Sequence, residues 1–198
     1  MPAAATPQIS SKLEPRPPLG PSALKGVLIS ESKLQHRIEQ LADQINHDYQ
    51  NQSFVAVGIL TGSFLFFADL IRRLKGSVEI DFLGLSSYRQ GTTAGKAEFT
   101  QSLKSNLANR NVLAVDDILD GGQTLATIVN RLQDQQPTDV RSCVLLERTD
   151  RRQTTVQADY IGFRIPDCFV VGYGLDYAEQ YRNLPYVGVL DETRLSGH

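Results

Sequence analysis

The chain has 198 residues, enough for one domain that buries its own core without disulfide or metal staples. Its apolar content of 41%, charged content of 21% and net charge of −2 are ordinary for a soluble globular protein. They argue against a general binder of nucleic acid or membrane surfaces. No apolar run approaches the roughly 18 residues of a membrane span. Cys143 and Cys168 sit in apolar contexts that fit reduced core thiols of a cytoplasmic protein. His36, His47 and His198 show no ligand spacing with them, which argues against a zinc site.

Residues 1–22 hold six prolines (Pro2, Pro7, Pro15, Pro17, Pro18, Pro21) and few large apolar side chains, so they read as a flexible tail. The segment lacks the apolar core of a secretory signal. Residues 23–198 read as a single domain. Leu34, Ile38, Leu41 and Ile45 stripe a helix that Ser32 and Gln35 could open as a capping box. Phe54 to Leu60 is a continuous apolar strand, broken by Thr61-Gly62. Phe64 to Leu74 reads as a helix ending near Gly76, and Val78 to Leu85 as a strand. Residues 86–101 show no period and read as a long mobile loop. Strand 112–115, helix 123–134, strand 140–146, a short apolar piece at 160–163 and strands near 169–172 and 187–190 complete the chain. Strands alternating with helices predict an α/β fold with a mainly parallel, doubly wound sheet.

The densest chemistry lies at Val112-Leu-Ala-Val-Asp116-Asp117-Ile-Leu-Asp120-Gly121-Gly122-Gln123-Thr124. In an open α/β sheet, ligands sit at the carboxyl ends of strands. Paired glycines let successive backbone N–H groups curl into an anion-sized nest at a helix N-terminus, where the dipole favours phosphate. Carboxylates beside that nest would repel phosphate unless they hold sugar hydroxyls, a cation or a proton in transit. The pattern suggests a phosphorylated sugar handled with a metal. Neither GxGxxG nor GxxxxGK[ST] occurs, which removes the usual dinucleotide and P-loop readings.

This strand–DDxxDGGxT–helix unit resembles the phosphoribosyl-pyrophosphate signature of type I phosphoribosyltransferases. Three further segments narrow the resemblance to the hypoxanthine-guanine phosphoribosyltransferases: Val57-Gly-Ile-Leu-Thr61-Gly62-Ser-Phe64, Ser86-Ser87-Tyr88, and the run from Ile165 through Phe169-Val170-Val171-Gly172-Tyr173-Gly174-Leu175-Asp176 to Arg182 and Tyr186. The resemblance spans about residues 28–190. It implies the type I phosphoribosyltransferase fold, with a small hood formed by chain-terminal segments, and transfer of a phosphoribosyl group from phosphoribosyl pyrophosphate to a 6-oxopurine with Mg²⁺. A homodimer or homotetramer is also implied, with no nucleic acid or membrane partner.

By the same resemblance, Asp116 and Asp117 would hold the ribose hydroxyls, directly or through Mg²⁺, and Asp120 would be the general acid/base beside the purine. Gly121, Gly122, Gln123 and Thr124 would cradle the 5′-phosphate. Phe169 would stack on the purine and the Val170 backbone would read its edge. Asp176 would serve a second Mg²⁺, Arg182 would clamp pyrophosphate with Gly62 nearby, and Ser87 and Tyr88 would ride a closing loop. Read alone, Phe169 to Val171 is more readily a core strand than a stacking shelf, while Asp176 is equally a turn cap and Arg182 equally a surface ion-pair partner.

The chain departs from the family pattern at four places. Asp116 stands where Glu is usual, Thr61 where the tripeptide after the first long strand carries Lys or Arg, and Gly121 where Thr or Ser is usual. Arg148 stands where a Lys would meet the purine 6-oxo group; a planar fork can donate to the same carbonyl. The family's cis peptide before the residue at 61 is expected here too. These departures leave open a xanthine-preferring relative, a nucleotide-binding regulator and an inactive paralogue.

Overall fold

The computed structural model describes residues 5–14, 23–87, 97–148, 150, 153–191 and 193. Among them are nine strands and three helices: β1 (Leu24–Ile29), α1 (Glu31–Asp48), β2 (Phe54–Leu60), α2 (Phe64–Ile71), β3 (Val78–Ser87), β4 (Ala97–Gln101), β5 (Asn111–Leu119), α3 (Gln123–Gln133), β6 (Asp139–Arg148), β7 (Tyr160–Ile165), β8 (Val170–Val171) and β9 (Val187–Leu190). No described helix is long and apolar enough to cross a membrane.

Six strands form one sheet in the order β4-β3-β2-β5-β6-β7, parallel throughout except for the antiparallel β3–β4 pair. Its central strands are apolar on both faces because both are covered. Phe54, Ala56, Leu113 and Val115 face a core shared with Leu34, Ile38 and Leu41 of α1 and Phe66, Phe67 and Leu70 of α2. Val55, Val57, Val112 and Ala114 face the opposite side, against Ile128 and Leu132 of α3. Helices on both faces make the sheet doubly wound, as the alternating periods predict. The chain runs from β2 to β3 in one direction and from β5 to β6 in the other, so β2 and β5 flank the topological switch point. A second sheet, β1-β9-β8, brings together early and late chain segments as the expected hood.

Several boundaries differ from expectation. Ser30, not Ser32, is the N-cap residue of α1, and it makes no side-chain cap bond; the Gln35 amide instead donates to Asp69 on α2 at 2.9 Å. The α2 helix closes at Ile71, where Arg73 and Leu74 bond back three residues and tighten the last turn. The expected loop at 86–101 is partly strand, since β3 continues to Ser87 and pairs with β4; Tyr88 lies outside the described residues. β5 runs to Leu119, so the acid pair lies within the strand and not after it. β1 had no counterpart in the periodicity reading. Residues 5–14, expected within a tail, bridge Gln8 to Arg164 and Glu14 to Val27 through backbone pairing. Ile9 and Leu13 give this stretch enough apolar surface to pack on the main core, which its proline content obscured.

Candidate active site

The carboxyl end of β5 outruns β2. The register between them stops at Gly58 and Val115, whereas β5 continues alongside β6 to Leu119. Asp116 and Asp117 therefore project at the switch point, beside the turn that leaves β2. The Leu60–Thr61 peptide in that turn is cis, as the family resemblance implied. Gly62 meets Asp117 so closely that a Cβ on Gly62 would sit 1.7 Å from Asp117 Oδ2. Gly174, at φ +100°, packs against the same turn, where a Cβ would lie 2.0 Å from the Gly62 carbonyl oxygen. Three segments distant in sequence meet here, and glycine is what permits two of the approaches.

The acid pair is electrostatically uncomfortable. Asp116 is 6% exposed, and burial with the neighbouring Asp117 charge pushes its carboxyl well above the usual range. Burial also raises Asp117, opposed by hydrogen bonding to Asp116 and, more weakly, by the Arg182 charge. Each carboxylate accepts a following backbone N–H: Asp117 N–H to Asp116 at 2.9 Å, and Ile118 N–H to Asp117 at 2.7 Å. Two adjacent buried acids are the donor set a hard cation suits. Among the described residues no group of three His, Cys, Asp or Glu side chains is placed to hold a metal. The pair fits an ion whose remaining ligands come from a substrate.

Arg182 reaches the same cluster. It donates to the Gly174 carbonyl at 2.8 Å and pairs with Asp176 Oδ1 and Glu179 Oε2, each at 3.0 Å. Asp176 Oδ2 accepts from the Glu179 N–H at 3.0 Å, so both oxygens of the expected second metal ligand hold the Arg182 loop in this conformation.

Beyond Leu119 the chain turns through Asp120-Gly121-Gly122 into α3. Gly122 caps the helix at φ +91°, and no acid occupies the first turn. The N–H groups of that turn are the unbonded ones of any helix start. The turn is backed by residues absent from the sequence reading: Gln153 N–H donates to the Gly121 carbonyl at 2.9 Å, and a Cβ on Gly122 would meet Thr154 Oγ1 at 2.1 Å. The Gln123 amide donates to Gln153 at 3.0 Å, while Thr124 is exposed at the helix start. Residues 153–156 show no regular period, so nothing local marked them as support for the turn.

Arg148, at the end of β6, is 6% exposed, so it is no surface residue. It donates to Asp120 Oδ2 at 3.0 Å and to the Cys168 carbonyl at 2.7 Å, with Asp167 at 3.9 Å. Asp120 Oδ1 is a buried oxygen with no hydrogen-bond partner among the described residues. Phe169 follows Cys168, half-buried and edge-to-face with Tyr177 at 5.7 Å between centroids. Val170 is buried in β8, opposite Val189. Arg148, Asp120, Phe169 and Val170 thus come together where the end of the main sheet meets the hood. Ser87 ends β3 on the far side of β2, and Tyr88 is outside the described residues.

A family profile for the phosphoribosyl transferase domain matches residues 30–178. The hypoxanthine-guanine phosphoribosyltransferase of Staphylococcus aureus (strain Mu50) is 44% identical over 168 residues, covering 84% of this chain and 94% of that protein. Among solved structures, a hypoxanthine phosphoribosyltransferase from S. aureus superposes with TM-score 0.83 at 42% identity, covering 89% of this chain and 96% of the other. A hypoxanthine-guanine phosphoribosyltransferase from Bacillus anthracis superposes with TM-score 0.80 at 42% identity, covering 84% and 99%. With the acid pair, the glycine turn and the hood arranged as described, the chain belongs to the phosphoribosyltransferase family, among its hypoxanthine-guanine members.

Proposed function

We propose that this chain transfers the 5-phosphoribosyl group from phosphoribosyl pyrophosphate to a 6-oxopurine, hypoxanthine and guanine, giving IMP or GMP and pyrophosphate in purine salvage. The observation that carries the reading is the bond between buried Arg148 and half-buried Asp120 beside the Gly121–Thr124 turn: a fixed donor and a carboxylate next to a helix start whose free N–H groups suit an anion.

Displacing pyrophosphate from the anomeric carbon develops positive charge on ribose and negative charge on the leaving group. The N–H groups opening α3, with the Thr124 hydroxyl, would bind the 5′-phosphate. Asp116 and Asp117 would hold the ribose hydroxyls and face the growing sugar charge. Arg182, already at the Gly174 carbonyl, would meet pyrophosphate. Asp120 Oδ1 would accept the proton that the attacking purine nitrogen must lose. Arg148 would donate to the 6-oxo group, Phe169 would stack on the ring and the Val170 backbone would read its edge. Ser87 and Tyr88 are proposed for a segment that shields the reacting centre from water. Mg²⁺ fits the Asp116–Asp117 donor set, with Asp176 as candidate for a second ion, and would supply neutralising charge to the pyrophosphate. The assembly is proposed as a homodimer or homotetramer; the exposed Phe64 and Tyr177 rings are apolar surface it could cover.

The test is pyrophosphate release with hypoxanthine, guanine, xanthine and adenine in turn. Turnover with the first two and none with adenine is expected. Turnover confined to xanthine, or none with any base, would overturn the reading.

A further inference from the structure

We infer that residues 7–14 form a positioning strap for the purine end of the site, an inference that rests on the transferase reading above. The strap has two anchors. At one, Arg164 N–H donates to the Pro7 carbonyl at 2.9 Å and Ile9 N–H donates to the Arg164 carbonyl at 2.8 Å. At the other, Glu14 and Val27 exchange backbone bonds of 2.7 and 2.9 Å. Only six peptide steps separate Gln8 from Glu14, so the link spans at most about 20 Å.

Each anchor lies in register with one wall of the purine pocket. Across the main sheet the row runs Gln8, Arg164, Glu147, Leu119; Arg148 comes next on β6, and Asp120 opens the turn directly after β5. The Arg164 guanidinium strengthens the row through a 2.8 Å bond to buried Glu147. Across the hood the row runs Glu14, Val27, Gly188, Val171, with Val170 and Phe169 just before it. The strap thereby fixes the spacing between the residues proposed to read the 6-oxo group and those proposed to stack on the ring. Neither row passes through Gly62, Asp117 or the Gln153 backing of the phosphate turn.

The remaining contacts serve the same link. Ile9 and Leu13 pack on the main core, and Lys33 pairs with Glu14 at 2.5 Å. Gly26 makes room: a Cβ there would lie 2.7 Å from the Glu14 carbonyl oxygen and 2.9 Å from Leu13 Cβ. The family match begins at residue 30, beyond the strap.

The experiment uses the full chain carrying Ile9→Pro and Glu14→Pro, which removes one backbone donor at each anchor and leaves residues 23–198 unchanged. The KM for hypoxanthine should rise about tenfold, as a slight misplacement of binding groups does, with kcat and the KM for phosphoribosyl pyrophosphate within about twofold. Calorimetric Kd for GMP should weaken in parallel, and that for pyrophosphate should not. Gly26→Val, which displaces the strap from the other side, should give the same split. Ile9→Val with Glu14→Gln keeps every backbone donor and should restore wild-type values. An unchanged hypoxanthine KM, or a loss shared by both substrates in step with a lower Tm, would overturn the strap's role. A wild-type chain without transfer whose GMP affinity still depends on the strap would overturn the transferase reading alone. Neither transfer nor GMP binding would overturn both.

Discussion

Arg148 Nη1 lies 3.0 Å from Asp120 Oδ2, so the residue proposed to read the purine carbonyl also holds the residue proposed to take the purine's proton. One oxygen of Asp120 is committed to that bond, and the other has no hydrogen-bond partner among the described residues. The pairing gives the carboxylate a fixed orientation, with its second oxygen left to face the purine.

Asp120→Asn keeps the size of the side chain and removes its proton affinity. Turnover should fall by about 10²–10⁴-fold, the usual worth of a general acid/base, with GMP affinity little changed. Steady-state kinetics beside calorimetry decides it. Wild-type turnover in the variant would take Asp120 out of the mechanism.

Arg148→Ala should lower kcat/KM for hypoxanthine by roughly 10–200-fold, the cost of about 1–3 kcal/mol for a lost buried pairing. Affinity for phosphoribosyl pyrophosphate alone should barely move. Adenine should stay a poor substrate for the wild type, because a donor-only side chain leaves its amino group unpaired. An unchanged base preference in the variant would show that another group reads the ring.

Gly62→Ala forces a methyl into the space of the Asp117 carboxylate. Because the Gly62 turn and the acid must separate, kcat/KM for phosphoribosyl pyrophosphate should drop by up to about 100-fold, as expected for misplacement on the 1 Å scale. Hypoxanthine specificity should persist. A variant with wild-type kinetics would mean that this close approach has no part in sugar binding.

The acid pair makes folding depend on pH. Burial raises both carboxyls, so the folded chain keeps protons that the unfolded chain releases above about pH 4. Stability from this source is complete below that pH and is lost as pH rises through the folded values. Metal-free protein should therefore lose Tm on going from acid toward neutral pH, and Asp116→Asn should flatten that slope. At pH 7 the variant should melt higher, by about 2–4 °C for each kcal/mol relieved in a chain of this size. Equal melting of variant and wild type at pH 7 would contradict the argument.

Activity should vanish in excess chelator and return with Mg²⁺, since Thr61 brings no positive charge to the pyrophosphate. Thr61→Lys should lower the Mg²⁺ concentration needed for half-maximal rate. Full activity in chelator would exclude a metal requirement.

The parts of the site that could be read in advance are those whose chemistry is local. Asp116 to Thr124 carries strand end, acids, glycine turn and helix start within nine residues, and each residue type has a backbone reason to be there. The alternating periods gave the doubly wound sheet for the same reason. What escaped depends on distant partners. Arg148 takes its setting from Asp120 and the Cys168 carbonyl, neither of which lies near it in sequence. Gly62 gained its meaning from Asp117, which topology and not sequence distance sets beside it. β4 is an edge strand whose Phe99, Thr100 and Gln101 are exposed, and residues 7–14 pair through backbone atoms that composition does not describe.

The hood has β9 as its middle strand, between β1 and β8. The six-stranded sheet is complete once Ile165 has been added, and it already carries the acid pair, the glycine turn and Arg148. Every strand of that sheet precedes Val187–Leu190 in the chain. β1 pairs with Val187–Leu190 from the opposite end of the described domain, so closing the hood has high contact order and is expected to form late in folding. The residues proposed to hold phosphate can thus take their places before those proposed to stack on the purine.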